Sequence, residues 1–125
     1  LYDRGEEVIQ DYGLARFVNI EQKNGGGYLP ENTSWAKQTI AHNTVTVDGI
    51  SHFGGDYLKG VKHHSEPYFF DAGRKGIRIT SAKEHHASNG VHMHRTMAVV
   101  DAEPFEKPLV LDIFKITSRE HHRYD

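Results

Sequence analysis

Apolar and polar residues alternate most clearly in Gly76-Ile77-Arg78-Ile79-Thr80 and in Leu109-Val110-Leu111-Asp112-Ile113-Phe114-Lys115-Ile116, where Asp112 and Lys115 interrupt an otherwise apolar run. A period of two places successive side chains on opposite faces of a strand, so both segments predict half-buried β-strands. The same reading predicts strands at Glu7–Ile9, Phe17–Ile20, Thr44–Val47, Tyr68–Asp71, Ile77–Ser81, His92–Val100 and Leu109–Thr117, separated by Gly, Asn, Asp and Pro clusters. Short strands without an amphipathic helix predict an all-β chain built as an antiparallel sandwich or barrel.

Of these strands, Thr44–Val47 carries candidate chemistry. It is β-branched throughout and stops at Asp48-Gly49, a dipeptide suited to a tight turn with φ > 0. His42 stands at its mouth, which predicts a histidine held by sheet. Asn24-Gly25-Gly26-Gly27, just before Tyr28, predicts a loop, because three glycines cost backbone entropy on ordering and suit close approach or motion.

The charge balance narrows the partners. Fifteen Lys and Arg against seventeen Asp and Glu give a formal charge of −2, so no global positive field recruits nucleic acid or an anionic membrane, and neither is expected as a partner. An anionic substrate would be met by local Arg and Lys. Zero cysteines exclude disulfides and thiolate zinc sites. Hydrophobic content of 37% and a mean hydropathy of −0.64 are low for a self-sufficient core, which predicts a piece whose faces need neighbours. No phosphate loop, Gly-x-Ser-x-Gly elbow or His-Glu-x-x-His is present, so nucleotide, serine-hydrolase and metalloprotease chemistry find no motif.

Ten histidines invite a metal reading. The adjacent pairs His63-His64, His85-His86 and His121-His122 point to opposite sides of a strand and chelate poorly. His92 and His94 share a face, but the sequence places no third ligand beside them. Lys59, Lys62, Arg74, Lys75 and Arg78 form a loose basic series around Tyr57, Tyr68, Phe69 and Phe70, suited to an anionic sugar track or simply to a solvated face.

Asp11-Tyr12-Gly13-Leu14-Ala15-Arg16-Phe17, Tyr28 and Gln38-Thr39-Ile40-Ala41-His42-Asn43-Thr44-Val45 together resemble the heparinase II/III-like lyases, and within them the alginate and oligoalginate lyases of polysaccharide lyase family 17. The resemblance extends more loosely through Lys107-Pro108-Leu109-Val110-Leu111-Asp112 and Tyr124-Asp125. It implies that residues 1–125 are a single partial domain, a fragment of the β-sandwich of an α/α-toroid plus β-sandwich lyase, with the toroid and remaining strands absent. It further implies a structural zinc ion held by Asp11 and His42, with a third protein ligand in a His-Gly-His segment upstream.

In the same resemblance Tyr28 is an active-site tyrosine contributed by the sandwich, and Arg16 is a basic residue meeting a uronate carboxylate. The principal Asn, His and Tyr of the reaction come from the toroid, so the fragment alone is expected to be silent. The implied reaction is β-elimination on alginate or its oligosaccharides, with a periplasmic or secreted bacterial location. The alternatives are a heparin or heparan sulfate lyase of the same superfamily and a non-catalytic carbohydrate-binding sandwich.

Overall fold

The computed structural model describes residues 2–11, 13 and 28–125. The chain divides into two compact units, Leu1–Gly60 with His122–Asp125, and Val61–His121.

The second unit is an antiparallel meander. Strands β3 (Glu66–Asp71), β4 (Ile77–Ser88), β5 (Val91–Val100) and β6 (Leu109–Ser118) lie in the order β3-β4-β5-β6. The register of β5 on β6 is unbroken from Val91↔Ser118 to Val100↔Leu109. β4 runs well past Ser81, the end that its alternation marks. Beyond Glu84↔Met93 its register with β5 shifts before resuming at Ser88↔Val91. The Glu84 carboxylate fills that bulge, accepting the backbone N–H of His86 at 2.6 Å and of Ala87 at 3.2 Å. Gly90 closes the hairpin in the left-handed region, at φ 71°.

Pairing assigns the faces. Leu109, Leu111, Ile113, Lys115 and Thr117 of β6 share a face with Val100, Ala98, Thr96, His94 and His92 of β5 and with Ile77, Ile79, Ser81 and Lys83 of β4. This face is apolar at one end and basic at the other, with Ser81 Oγ and Thr96 Oγ1 2.9 Å apart between the halves. The opposite face carries Phe114, Met93, Met97, Arg95 and Asp112, and there Arg95 forks onto Asp112 through Nε at 2.9 Å and Nη2 at 2.5 Å. The interruptions Asp112 and Lys115 thus point to opposite sides. Val91, Met93 and Ala87 are buried at the hairpin end, whereas Ile113 is 60% and Phe70 74% exposed. Exposed apolar side chains such as Ile113 and Phe70 call for a covering layer where they stand, so the all-β antiparallel architecture is that of a sandwich fragment.

The first unit is mostly turns. Tyr2–Asp3 (β1) and Glu6–Glu7 (β2) form a small hairpin across Arg4 and Gly5, both at φ > 0, so strand structure falls on Glu6–Glu7 in place of the Glu7–Ile9 expected from sequence. A wide helical turn, Asn32–Ala36, closes with Lys37 N–H on the Asn32 carbonyl at 2.9 Å. A tighter turn follows at Thr39–Ala41 and another at His52–Gly55, leading into the one-turn helix α1, Tyr57–Gly60. Among the described residues of this unit Leu29, Asn32, Ala36, Thr39, Ala41, Thr46 and Val47 are buried, and apart from Leu29 and Val47 they are small or polar.

The expected strand Thr44–Val47 requires correction. Thr44 lies in a bend, its N–H donating to the His42 carbonyl at 2.9 Å, and the segment pairs through isolated bridges from Val47 to Ile50 and to Tyr124. Thr46 and Asp125 exchange N–H···O bonds of 2.9 and 3.2 Å, and Asp48 N–H donates to the Arg123 carbonyl at 2.8 Å. β-Branching favours an extended backbone, but a ladder also needs a partner strand in register. The Asp48-Gly49 turn adopts φ 55° and 69°, as its composition predicts. Phe17–Ile20 and Asn24–Gly27 lie outside the described residues.

Candidate functional site

His42 terminates the Thr39–Ala41 turn, its N–H donating to the Thr39 carbonyl at 3.1 Å. It is therefore fixed by a turn and by its ring contacts, not by sheet as the sequence suggests. Both carboxylate oxygens of Asp11 lie 3.1 Å from His42 Nδ1, and His42 Nε2 lies 3.0 Å from the carbonyl of buried Ala36. Asn43 Nδ2 donates to the Gln10 carbonyl at 2.8 Å, so the same two segments are tied twice. Asp11 Oδ1 also accepts Gly13 N–H at 3.1 Å. The hydrogen bond from His42, followed by that from Gly13, holds the Asp11 carboxyl below its ordinary value.

The donor set has a chemical consequence. A carbonyl only accepts, so Nε2 carries a proton; the carboxylate also only accepts, so the Nδ1 lone pair faces negative oxygen. A shared proton or a metal ion then lies between them. A zinc ion with ligand distances of roughly 2.0–2.2 Å at a tetrahedral angle separates its nitrogen and oxygen ligands by about 3.3 Å. The observed 3.1 Å separation is close to that span. The Ala36 carbonyl meanwhile sets the tautomer and orientation that a metal-binding imidazole needs. Among the described residues no group of three or more His, Asp or Glu side chains assembles to hold a metal, so Asp11 and His42 fit two positions of such a site and leave the others to be supplied.

Tyr28 belongs to the same compact unit and precedes the wide turn. Its side chain is 52% exposed and its neighbour Leu29 is buried. Arg16 lies outside the described residues. A cleft of about 730 Å³ in this unit is lined by Thr33, Ser34, Gln38, Thr46, Ser51 and Arg123, among others, and not by Asp11, Tyr28 or His42.

Sequence reasoning passed over two further pairs. His122 Nδ1 lies 2.7 Å from Asp48 Oδ2, and Arg123 N–H donates to Asp48 Oδ1 at 2.8 Å. These two contacts, the Arg123 backbone bond first, hold the Asp48 carboxyl low. Nothing in the spacing of Asp48 and His122 signals the contact. His85 Nδ1 and His92 Nδ1 lie 2.7 Å apart across β4 and β5. His92 and His94 do share a face as expected, but His94 engages Ser81 Oγ at 2.6 Å and the edge of Tyr68. Of the loose basic series, Lys59 and Arg74 are taken up by Asp56 and Asp71 at 3.7 and 3.5 Å.

The family model for the heparinase II/III-like C-terminal domain matches residues 1–123. The chain belongs to the heparinase II/III-like C-terminal family. An exo-oligoalginate lyase of Saccharophagus degradans is 44% identical over the whole chain, and an alginate lyase of Stenotrophomonas maltophilia is 45% identical over 99% of it. The chain spans 17% of the length of each of these relatives. The Asp11–His42 pair is thus a feature of a heparinase II/III-like C-terminal domain.

Proposed function

We propose that this chain is part of a polyuronate lyase that cleaves 4-linked uronates of alginate or its oligosaccharides by β-elimination. The observation that carries this reading is the similarity of the whole chain, at 44% and 45% identity, to proteins named as an exo-oligoalginate lyase and an alginate lyase. The chain is then a single partial domain of a larger lyase, with an α/α-toroid and further strands outside residues 1–125 and a periplasmic or secreted location.

The reaction breaks the C5–H and C4–O4 bonds and forms the C4=C5 double bond. It needs the C5 carboxylate neutralised, the C5 proton removed and the leaving O4 protonated. In this reading the Tyr28 phenol takes or gives one of these protons, and Arg16 meets the carboxylate with its planar fork. Asp11 and His42 would hold a structural zinc ion, which supplies a cross-link between the segments around residues 11 and 42. The clamp of Asn43 on Gln10 and the Ala36 carbonyl behind His42 support that role, because they orient the pair before any ion arrives. The partners of Tyr28 in the elimination would come from the toroid, and residues 1–125 alone would be inactive.

The test is absorbance in the unsaturated-uronate band during digestion of polymannuronate, polyguluronate and heparin by the full-length protein. A rise with an alginate block is expected. A rise with heparin alone would move the assignment to a heparin lyase, and no rise with any of them from folded protein would leave a carbohydrate-binding sandwich.

A further inference from the structure

We propose that the basic end of the β3–β6 sheet is an additional carbohydrate subsite, which grips the carboxylates of a uronate oligosaccharide. The proposal rests on the polyuronate reading above for its ligand, but shares no residue with Asp11, Arg16, Tyr28 or His42. A groove of about 400 Å³ opens on this face, lined by Tyr68, Lys83, His85, His92, His94 and Lys115 among others. That volume falls within the range of sites for small ligands.

Strand alternation builds its charge. Lys83, His94 and Lys115 are cross-strand neighbours on β4, β5 and β6, so the two lysines flank the central strand two interstrand spacings apart, about 9–10 Å. The acidic residues of the same strands turn away: Glu84 is spent on the bulge, and Asp112 takes Arg95 on the opposite face. Among the described residues no carboxylate lines the groove. Glu66, opposite Lys83 in register, does not line it either. Neither lysine has a carboxylate partner among the described residues. Lys83 Nζ instead sits 3.4 Å above the Tyr68 ring, which orders the ammonium and forms an aromatic wall against which a sugar ring can lie.

The histidines fit an anion better than a metal. His85 and His92 approach to 2.7 Å, shorter than the roughly 3.3 Å that two nitrogens keep around a shared tetrahedral zinc ion. No third metal-binding side chain joins them among the described residues. The two rings satisfy each other as a hydrogen-bonded pair, with no metal ion needed between them. A carboxylated sugar lying across β5 would have an ammonium on each side, imidazoles beneath and the Tyr68 ring at one edge.

The test titrates saturated tetramannuronate into the full-length protein by calorimetry, in a Tyr28→Phe background chosen to slow turnover. Parallel arms use neutral mannotetraose and inorganic phosphate. The expected result is a binding event that weakens at least about tenfold with Lys83→Glu/Lys115→Glu, equivalent to about 1.4 kcal/mol, and that is absent with mannotetraose. Lys83→Gln/Lys115→Gln, checked by its melting curve, separates charge from misfolding and should give an intermediate loss. Tetramannuronate binding unchanged by both double variants would overturn the subsite, as would equal affinity for mannotetraose. Phosphate binding as tightly as the saccharide would reduce it to a general anion site and overturn it too. Absorbance of wild-type digests keeps the readings apart: a lyase whose binding ignores the lysines sinks only the subsite, and lysine-dependent binding without unsaturated product sinks only the lyase.

Discussion

The unit formed by Leu1–Gly60 and His122–Asp125 and the unit Val61–His121 solve the problem of placing side chains in different ways. The first holds Asp11 and His42 by individual polar contacts: the Ala36 carbonyl behind the ring, Asn43 on Gln10, and the Gly13 amide on the carboxylate. The second repeats one backbone ladder, and residue placement follows from register alone. A site fixed by single hydrogen bonds depends on each of them, because each partner left unpaired carries its own penalty. A site fixed by register tolerates surface changes and fails when the sheet itself is disturbed. Substitutions of the polar contacts in the first unit should therefore act on the site they hold, and substitutions of buried or turn residues in the second on stability.

The sharpest division comes from Tyr28→Phe in the full-length protein. Loss of a proton-transferring phenol should lower kcat by about 10²–10⁴-fold with little change in KM, read from steady-state absorbance. An equal fall in kcat and rise in KM would make Tyr28 a packing residue and blur the contrast. In the second unit, Met93→Ala removes a buried side chain beside the hairpin and should cost about 2–5 kcal/mol in denaturant unfolding. Gly76→Ala should cost about 1–3 kcal/mol or more, because Gly76 occupies a backbone conformation that side chains rarely adopt. Its added Cβ would also lie 2.6 Å from the Asp101 carbonyl oxygen, at φ +77°.

Smaller effects come from pH. The Arg95 fork holds the Asp112 carboxyl low, so the pair stabilises the fold above the ordinary carboxylate value and loses that contribution as pH falls through the depressed one. Because both partners are about a third exposed, Asp112→Asn should cost only about 0.2–1 kcal/mol at neutral pH and nothing at the acid limit. Asp11 carries the same sign: its contact with His42 should persist above the ordinary carboxylate value and weaken as acid protonates it. Chemical shifts of the Asp11 carboxyl carbon across an acid titration would read this directly.

How much was legible in the sequence follows the same division. The strands at Tyr68, Ile77, His92 and Leu109 stand near where alternation puts them, because in a meander each strand's partner is its neighbour in sequence. β4 outruns its alternation since Glu84 stabilises a bulge that interrupts the period. In the first unit the β-branched run Thr44–Val47 reads as strand but bends at Thr44 and pairs through single bridges at Val47, one of them to Tyr124, far away in sequence. The contact between Asp11 and His42 was expected only through family resemblance, since 31 residues of separation imply no geometry. The Ala36 carbonyl that orients His42 was not legible, because a backbone acceptor leaves no mark on the sequence. A turn at Gly90 sets Ser88 against Val91, and so Ala87 against His92; His85 meets His92 only through the register shift at the bulge, which the sequence does not mark.

The arrangement of the first unit turns on one question: what cation lies between the Asp11 carboxylate and His42 Nδ1. Elemental analysis of the full-length protein, as purified and after mild chelation, answers it by comparing wild type with His42→Ala. The account predicts about one zinc per chain in the wild type and loss of that zinc in the variant. Stoichiometric zinc retained by His42→Ala, or a folded and fully active wild type without metal, would contradict it.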